Sequence, residues 1–285
     1  MGNGWHEWPL MVFTVLGQCV VGGFIVLALA LLGYRTQEES RRIHLSMFFL
    51  WVLMAIAFIA SVLHLGSPLR MFNSLNRFGA SPLSNEIGGG SLFFVLGGNY
   101  WLLVMLNKMP SALGKAWLVI TMVAGIGFVY AMYRVYEIDT VPTWDNSYTS
   151  LNFGLTVLIG GPLLGYLLLR GANIQGRGLA RLPIISIAAL LVSVAVMLMQ
   201  SAALPMIHSS VQAASALIPH YGSLSVGRLA LLVLGLGCWI CPLIQRKRPS
   251  VPSLTVAFVL VFAGELIGRA IFYGLHMTVG VAIGS

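Results

Sequence analysis

Charge is what this chain has least of. Only 8% of its 285 residues are Asp, Glu, Lys or Arg, and just 8 of them are acidic. With 58% hydrophobic residues and a mean hydropathy of +0.89, there is too little polar surface to cover a water-soluble globule of this size. Hydrophilic stretches are equally scarce. No connection between apolar runs exceeds about 22 residues, too little for a separate soluble domain. The strict alternation of a barrel strand is missing, and lipid forbids open irregular backbone, so a helical bundle remains. No Gly-rich phosphate loop or zinc-protease signature is present. A membrane haem needs histidines facing one another inside the bundle, whereas each histidine near a span here is read as lying at its end, so no haem is expected. Cys238-Trp239-Ile240-Cys241 lacks the second pair that a zinc or iron-sulfur site requires and reads as two small apolar side chains in a helix. No metal site is expected.

What the chain does have is eight apolar runs, at about 10 to 33, 45 to 63, 87 to 106, 113 to 133, 151 to 169, 182 to 203, 226 to 244 and 252 to 273. Each is near the roughly 20 residues that cross hydrocarbon as a helix. The expectation is an all-α polytopic membrane protein, one integral membrane domain over residues 1–285. The net charge of +8 would suit nucleic acid, but its distribution is a topology signal. Connections one, three, five and seven hold Arg35, Arg41, Arg42, Lys108, Lys115, Arg170, Arg177, Arg181, Arg246, Lys247 and Arg248, 11 of the 16 basic residues. Basic residues collect on the cytoplasmic side, so both termini and the segment from His64 to Glu86 are expected outside. The N-terminus lacks the basic region and small-residue cleavage site of a signal peptide, so the first helix is expected to be retained. No clear internal repeat is visible. Small residues at Gly22-Gly23, Gly88-Gly89-Gly90, Gly97-Gly98, Gly161 with Gly165, and Gly264 with Gly268 permit close helix approach.

Sorted by depth, His64, Glu86, His208, Glu265, Arg269 and His276 fall in the outer half or at its edge. An ionisable residue in such a chain is costly enough to suggest function. Glu265 and Arg269 lie i,i+4 on the last span, where they can pair as a structural ion pair or line a site. His64 closes the second span and Glu86 opens the third, so a hairpin brings them to one depth. A near-neutral base and a buried carboxylate suit removal of two protons from a hydroxylated ring. A headgroup-solvated histidine and a glutamate at a helix N-terminus fit the same spacing.

The start Met1-Gly2-Asn3-Gly4-Trp5-His6-Glu7-Trp8-Pro9-Leu10, then His64-Leu65-Gly66-Ser67-Pro68, Phe72-Asn73-Ser74-Leu75-Asn76-Arg77 and Leu83-Ser84-Asn85-Glu86 resemble the membrane-anchor subunits of bacterial dimethyl sulfoxide reductases. Asp139-Thr140-Val141-Pro142-Thr143-Trp144, Ile207-His208-Ser209-Ser210-Val211-Gln212 and Gly264-Glu265-Leu266-Ile267-Gly268-Arg269 extend the resemblance along the chain, as does the run from Phe272 to Gly280. It implies an eight-helix, haem-free subunit of the bacterial inner membrane. Such a subunit anchors a molybdopterin catalytic subunit and an iron-sulfur subunit on the periplasmic side and oxidises menaquinol. It also implies that His64 and Glu86 belong to the quinol site; apart from the resemblance, Arg70, Arg77, Glu265 and Arg269 are expected to tune the field or fix the outer loop. His220 stands where the family leads one to expect an aspartate. Two other readings stay open on the residues: a purely structural anchor, and a secondary transporter, although midplane sites on broken helices and inverted repeats are not visible. The terminal acceptor is set on another subunit.

Overall fold

An apolar run in a bilayer has no water to satisfy its backbone, so it closes its hydrogen bonds within itself as a helix. The computed structural model of the chain describes residues 3–64, 75–209 and 213–278, with the backbone alone at 3, 64, 75 and 177. Among the described residues eight helices are long and apolar enough to cross a membrane. They are α1 (Trp8–Leu32), α2 (Gln37–His64), α3 (Pro82–Met105), α4 (Ser111–Arg134), α5 (Ser147–Gly171), α6 (Leu182–Ala203), α7 (Tyr221–Ile244) and α8 (Val251–Gly274). A short 3-10 turn, Asn3–Glu7, leads into α1 and packs on α8, where Gly4 lies against the Ala270 carbonyl and Gly274. The two described ends of the chain therefore share one end of the bundle, called here the terminal face. The opposite, basic face carries the loops rich in Lys and Arg.

Local chemistry explains where the helices begin and end. Proline stands in the first turn of α1, α3, α6 and α8, where its missing N–H costs nothing. The Asn146 and Ser250 side chains accept from Tyr148 N and Ser253 N to cap α5 and α8. Helix α2 begins at Gln37, well before its apolar run, because Thr36 and Glu39 form a reciprocal capping box. At the basic face α3, α5 and α7 all end alike. Asn107, Asn173 and Arg246 take φ of 55°, 55° and 57°, and the next residue's N–H reaches back to Leu103, Leu169 and Pro242, the bond of a Schellman cap.

Helices α1 to α4 pack as a ring, α1 against α2 and α4, and α3 against both. Helices α5 to α8 repeat that arrangement, and the two rings meet chiefly along α1 and α5. This duplication is invisible as sequence similarity but visible in the glycines. Both central helices have 25 residues, and Gly22 and Gly161 each stand fourteen positions after the first. A Cβ on Gly161 would sit 2.5 Å from the Gly22 Cα, and one on Gly22 would sit 2.6 Å from the Val157 carbonyl. The small-residue reading thus marks the ring-to-ring contact. Gly161→Ala is expected to destabilise the chain by about 1–3 kcal/mol through overpacking, lowering the thermal midpoint in detergent. Gly154→Ala, on the same helix with open space around it, is the control that stays near wild type.

One histidine departs from the sequence reading. Because α2 starts early, His44 lies inside it and is buried, its Nε2 2.9 Å from the Tyr100 hydroxyl and its Nδ1 2.7 Å from the Ser40 carbonyl. Both ring nitrogens are occupied, so this histidine ties α2 to α3.

Candidate functional site

At the terminal face the start of α3, the end of α8 and the loop between α4 and α5 converge. Glu86 is the fifth residue of α3, near the positive amide end of that helix, and is 5% exposed. Its Oε1 has no hydrogen-bond partner among the described residues. Tyr136, just past α4, and Tyr273, in the last turn of α8, place their hydroxyls 2.6 Å apart, at the same end of the bundle as Glu86. Burial, followed by the neighbouring Tyr273, pushes Tyr136 well above its ordinary value of 10.0. It is therefore a neutral hydroxyl, able to donate and accept. Trp144 fixes the loop by donating its Nε1–H to the Phe272 carbonyl at 2.8 Å, and its ring stacks on Phe272.

A second polar group lies deeper, within the second ring and reaching the first through Arg269. Arg269, 4% exposed, donates from Nη2 to Gln18 Oε1 at 2.8 Å, and its guanidinium stands 3.7 Å from the Phe153 ring centroid, a cation–π contact. Gln18 in turn donates to the Met132 sulfur at 3.7 Å. Glu265, 2% exposed, accepts at Oε2 from the Thr156 hydroxyl at 2.9 Å and from Arg228 Nη2 at 3.3 Å. The Glu265 carboxylate is thus bonded to Arg228 of α7 and not to Arg269, its i,i+4 neighbour. Beside it Arg228 Nε, Glu265 Oε1 and Asn152 Oδ1 lack protein partners among the described residues. They line a cavity of about 30 Å³, roomy enough for a water.

Of the residues singled out from sequence, the structure buries Glu86 at the end of the bundle that holds the tyrosine pair, Arg269 at the ring interface and Glu265 within the second ring. Arg77 is exposed in the 3-10 turn Leu75–Arg77. His64 is the last residue of α2; its side chain and Arg70 lie outside the described residues. His208, His220 and His276 are exposed at the terminal face, His276 with its ring 4.6 Å from that of Trp144. Sequence reasoning passed over Gln18, Tyr136, Arg228 and Tyr273. Two of them carried a signal: Gln18 is the sole amide in α1, and Arg228 is the sole charge in α7. An isolated polar group within an apolar span is a functional candidate by default. Among the described residues no three His, Cys, Asp or Glu side chains gather as a metal site would need.

Fold and site together define a polytopic helical membrane subunit with buried protonatable groups near one face and between its two rings. The model of the family described as DMSO reductase anchor subunit (DmsC) matches residues 1–275, and the protein belongs to that family. It is 60% identical to the C subunit of the anaerobic dimethyl sulfoxide reductase of Escherichia coli (strain K12), over 100% of both sequences. It is 56% identical to the anaerobic dimethyl sulfoxide reductase subunit YnfH of the same strain, over 99% of each. Against the C subunit of the Haemophilus influenzae enzyme the identity is 43% over 100% of both.

Proposed function

We propose that this protein binds and oxidises menaquinol at its terminal face, as the anchor of a complex of the dimethyl sulfoxide reductase type in the bacterial inner membrane. The observation that carries the reading is Glu86, a buried carboxylate whose Oε1 has no partner among the described residues, at the end of the bundle that holds the hydrogen-bonded Tyr136 and Tyr273 hydroxyls. The positive-inside distribution supports a periplasmic terminal face. Quinol approaches from that leaflet, and one ring hydroxyl bonds to His64 while Glu86 accepts a proton. Loss of two protons and two electrons converts the quinol to the quinone. The electrons pass to an iron-sulfur cluster of a partner subunit docked on the terminal-face loops, and from there to a molybdopterin subunit. The protons leave to the periplasm. Arg269 and Glu265, together with Arg70 and Arg77, shape the field around the site.

Titration of a redox-inert naphthoquinol analogue into the detergent-purified protein, followed by tryptophan fluorescence, tests the binding step. Trp144 lies in the aromatic cluster around Tyr136, so saturable quenching is expected. A folded protein that shows none would make this a purely structural anchor.

A further inference from the structure

The seam between the two rings is open on both flanks, and the flanks differ. One is an apolar groove of about 280 Å³ between α1, α4 and α5, with no charged residue on its walls. The other, of about 670 Å³, lies between α2, α5 and α8 in the half nearer the basic face. Its walls are apolar, with Phe49, Leu164, Leu168 and Phe258 among them, but Arg42 closes its basic end. The Arg42 Nε is shielded from solvent and has no hydrogen-bond partner among the described residues. Glu38, largely exposed, stands 3.9 Å from it, a loose ion pair. At the same end Arg170 donates from Nε to the Pro249 carbonyl at 3.1 Å, just before the first turn of α8.

We propose that this groove is a binding site for an anionic phospholipid of the basic-face leaflet. An acyl tail lies against the apolar walls, and the phosphate pairs with the part-exposed Arg42 guanidinium. Charge complementarity selects this occupant. The groove faces hydrocarbon along its length and ends in a cation at headgroup depth, the arrangement by which basic pockets between spans hold acidic headgroups. A second copy of this protein would bring an equally basic face against Arg42 and be repelled. The lipid would bridge α2 to α8, which make little direct contact, and so tie one ring to the other.

Native mass spectrometry of the full-length protein, released from mild detergent containing phosphatidylglycerol and phosphatidylcholine with identical acyl tails, tests the site. Wild type is expected to retain phosphatidylglycerol over phosphatidylcholine by roughly fivefold, the worth of one basic residue at a membrane surface. Arg42→Gln should bring the ratio close to one, while Arg41→Gln, at an exposed neighbour, leaves it unchanged. Gly171→Leu is the second variant. Its position lines the groove and has open space around it, so the added side chain blocks the occupant, and retention of both lipids should fall. Equal retention of the two lipids by wild type, or retention untouched by Gly171→Leu, would overturn the proposal. So would displacement of phosphatidylglycerol by a naphthoquinone.

Discussion

Replacing His64 by Leu or Glu86 by Gln is expected to lower quinol-dependent turnover of the assembled complex by about 10²-fold or more, the usual worth of a positioned proton acceptor. Glu86→Gln is the sharper of the two. It keeps the size and hydrogen-bonding capacity of the buried side chain but cannot take a proton. Turnover driven by an artificial donor that feeds electrons directly to the soluble subunits should stay at the wild-type level in both variants. That contrast separates loss of quinol oxidation from loss of assembly. Undiminished quinol-dependent turnover in either variant would remove that residue from the site.

Arg228→Leu is expected to be the most damaging substitution for stability. Glu265 is buried, and Arg228 supplies its only opposite charge among the hydrogen bonds described. Removing it strands a carboxylate within the bundle at a cost of about 3–5 kcal/mol, seen as a large fall in thermal midpoint or in membrane yield. Combining Arg228→Leu with Glu265→Gln should recover much of that loss, because no net charge then remains buried between the pair. Arg134 and Glu137 form the comparison. This pair sits at the exposed end of α4, where breaking a salt bridge costs about 1 kcal/mol or less. A double variant no better than Arg228→Leu alone would mean that the two charges are not coupled.

The eight spans were legible because hydrocarbon demands long uninterrupted apolar runs, and those runs are what composition shows best. Their ends were less so. Helix α2 starts at Gln37, outside its apolar run, because a capping box and not hydropathy sets the boundary. That displacement turned His44 from an end residue into an interior one. Glu86 stood out because a lone carboxylate in an apolar sequence is conspicuous, but Tyr136 and Tyr273 did not. Tyrosines are common at membrane edges, and nothing in their spacing reveals a hydroxyl pair joined across 137 residues. The partner of Glu265 was hidden for the same reason. Helical spacing favoured Arg269, whereas the α7–α8 packing delivered Arg228. Glycine positions announced close contacts without saying between which helices; Gly22 against Gly161 is a property of the duplicated rings.

The bond from Arg269 to Gln18 spans 251 residues, and it bears on biosynthesis. Helix α1 is the first to leave the ribosome, yet its buried amide has no cationic partner until α8, the last span, is in place. Until then the Met132 sulfur of α4, at 3.7 Å, is the partner that the amide of Gln18 has among the hydrogen bonds described. The closing of the second ring is then the event that seals the first. A nascent polypeptide halted before α8 leaves the Gln18 carbonyl oxygen without the cation that it bonds in the finished bundle, and lacks both Glu265 and the tyrosine that faces Tyr136. The last span thus completes polar bonds of the first ring at both Gln18 and Tyr136, so truncation ahead of it is expected to weaken the first ring as well as the second.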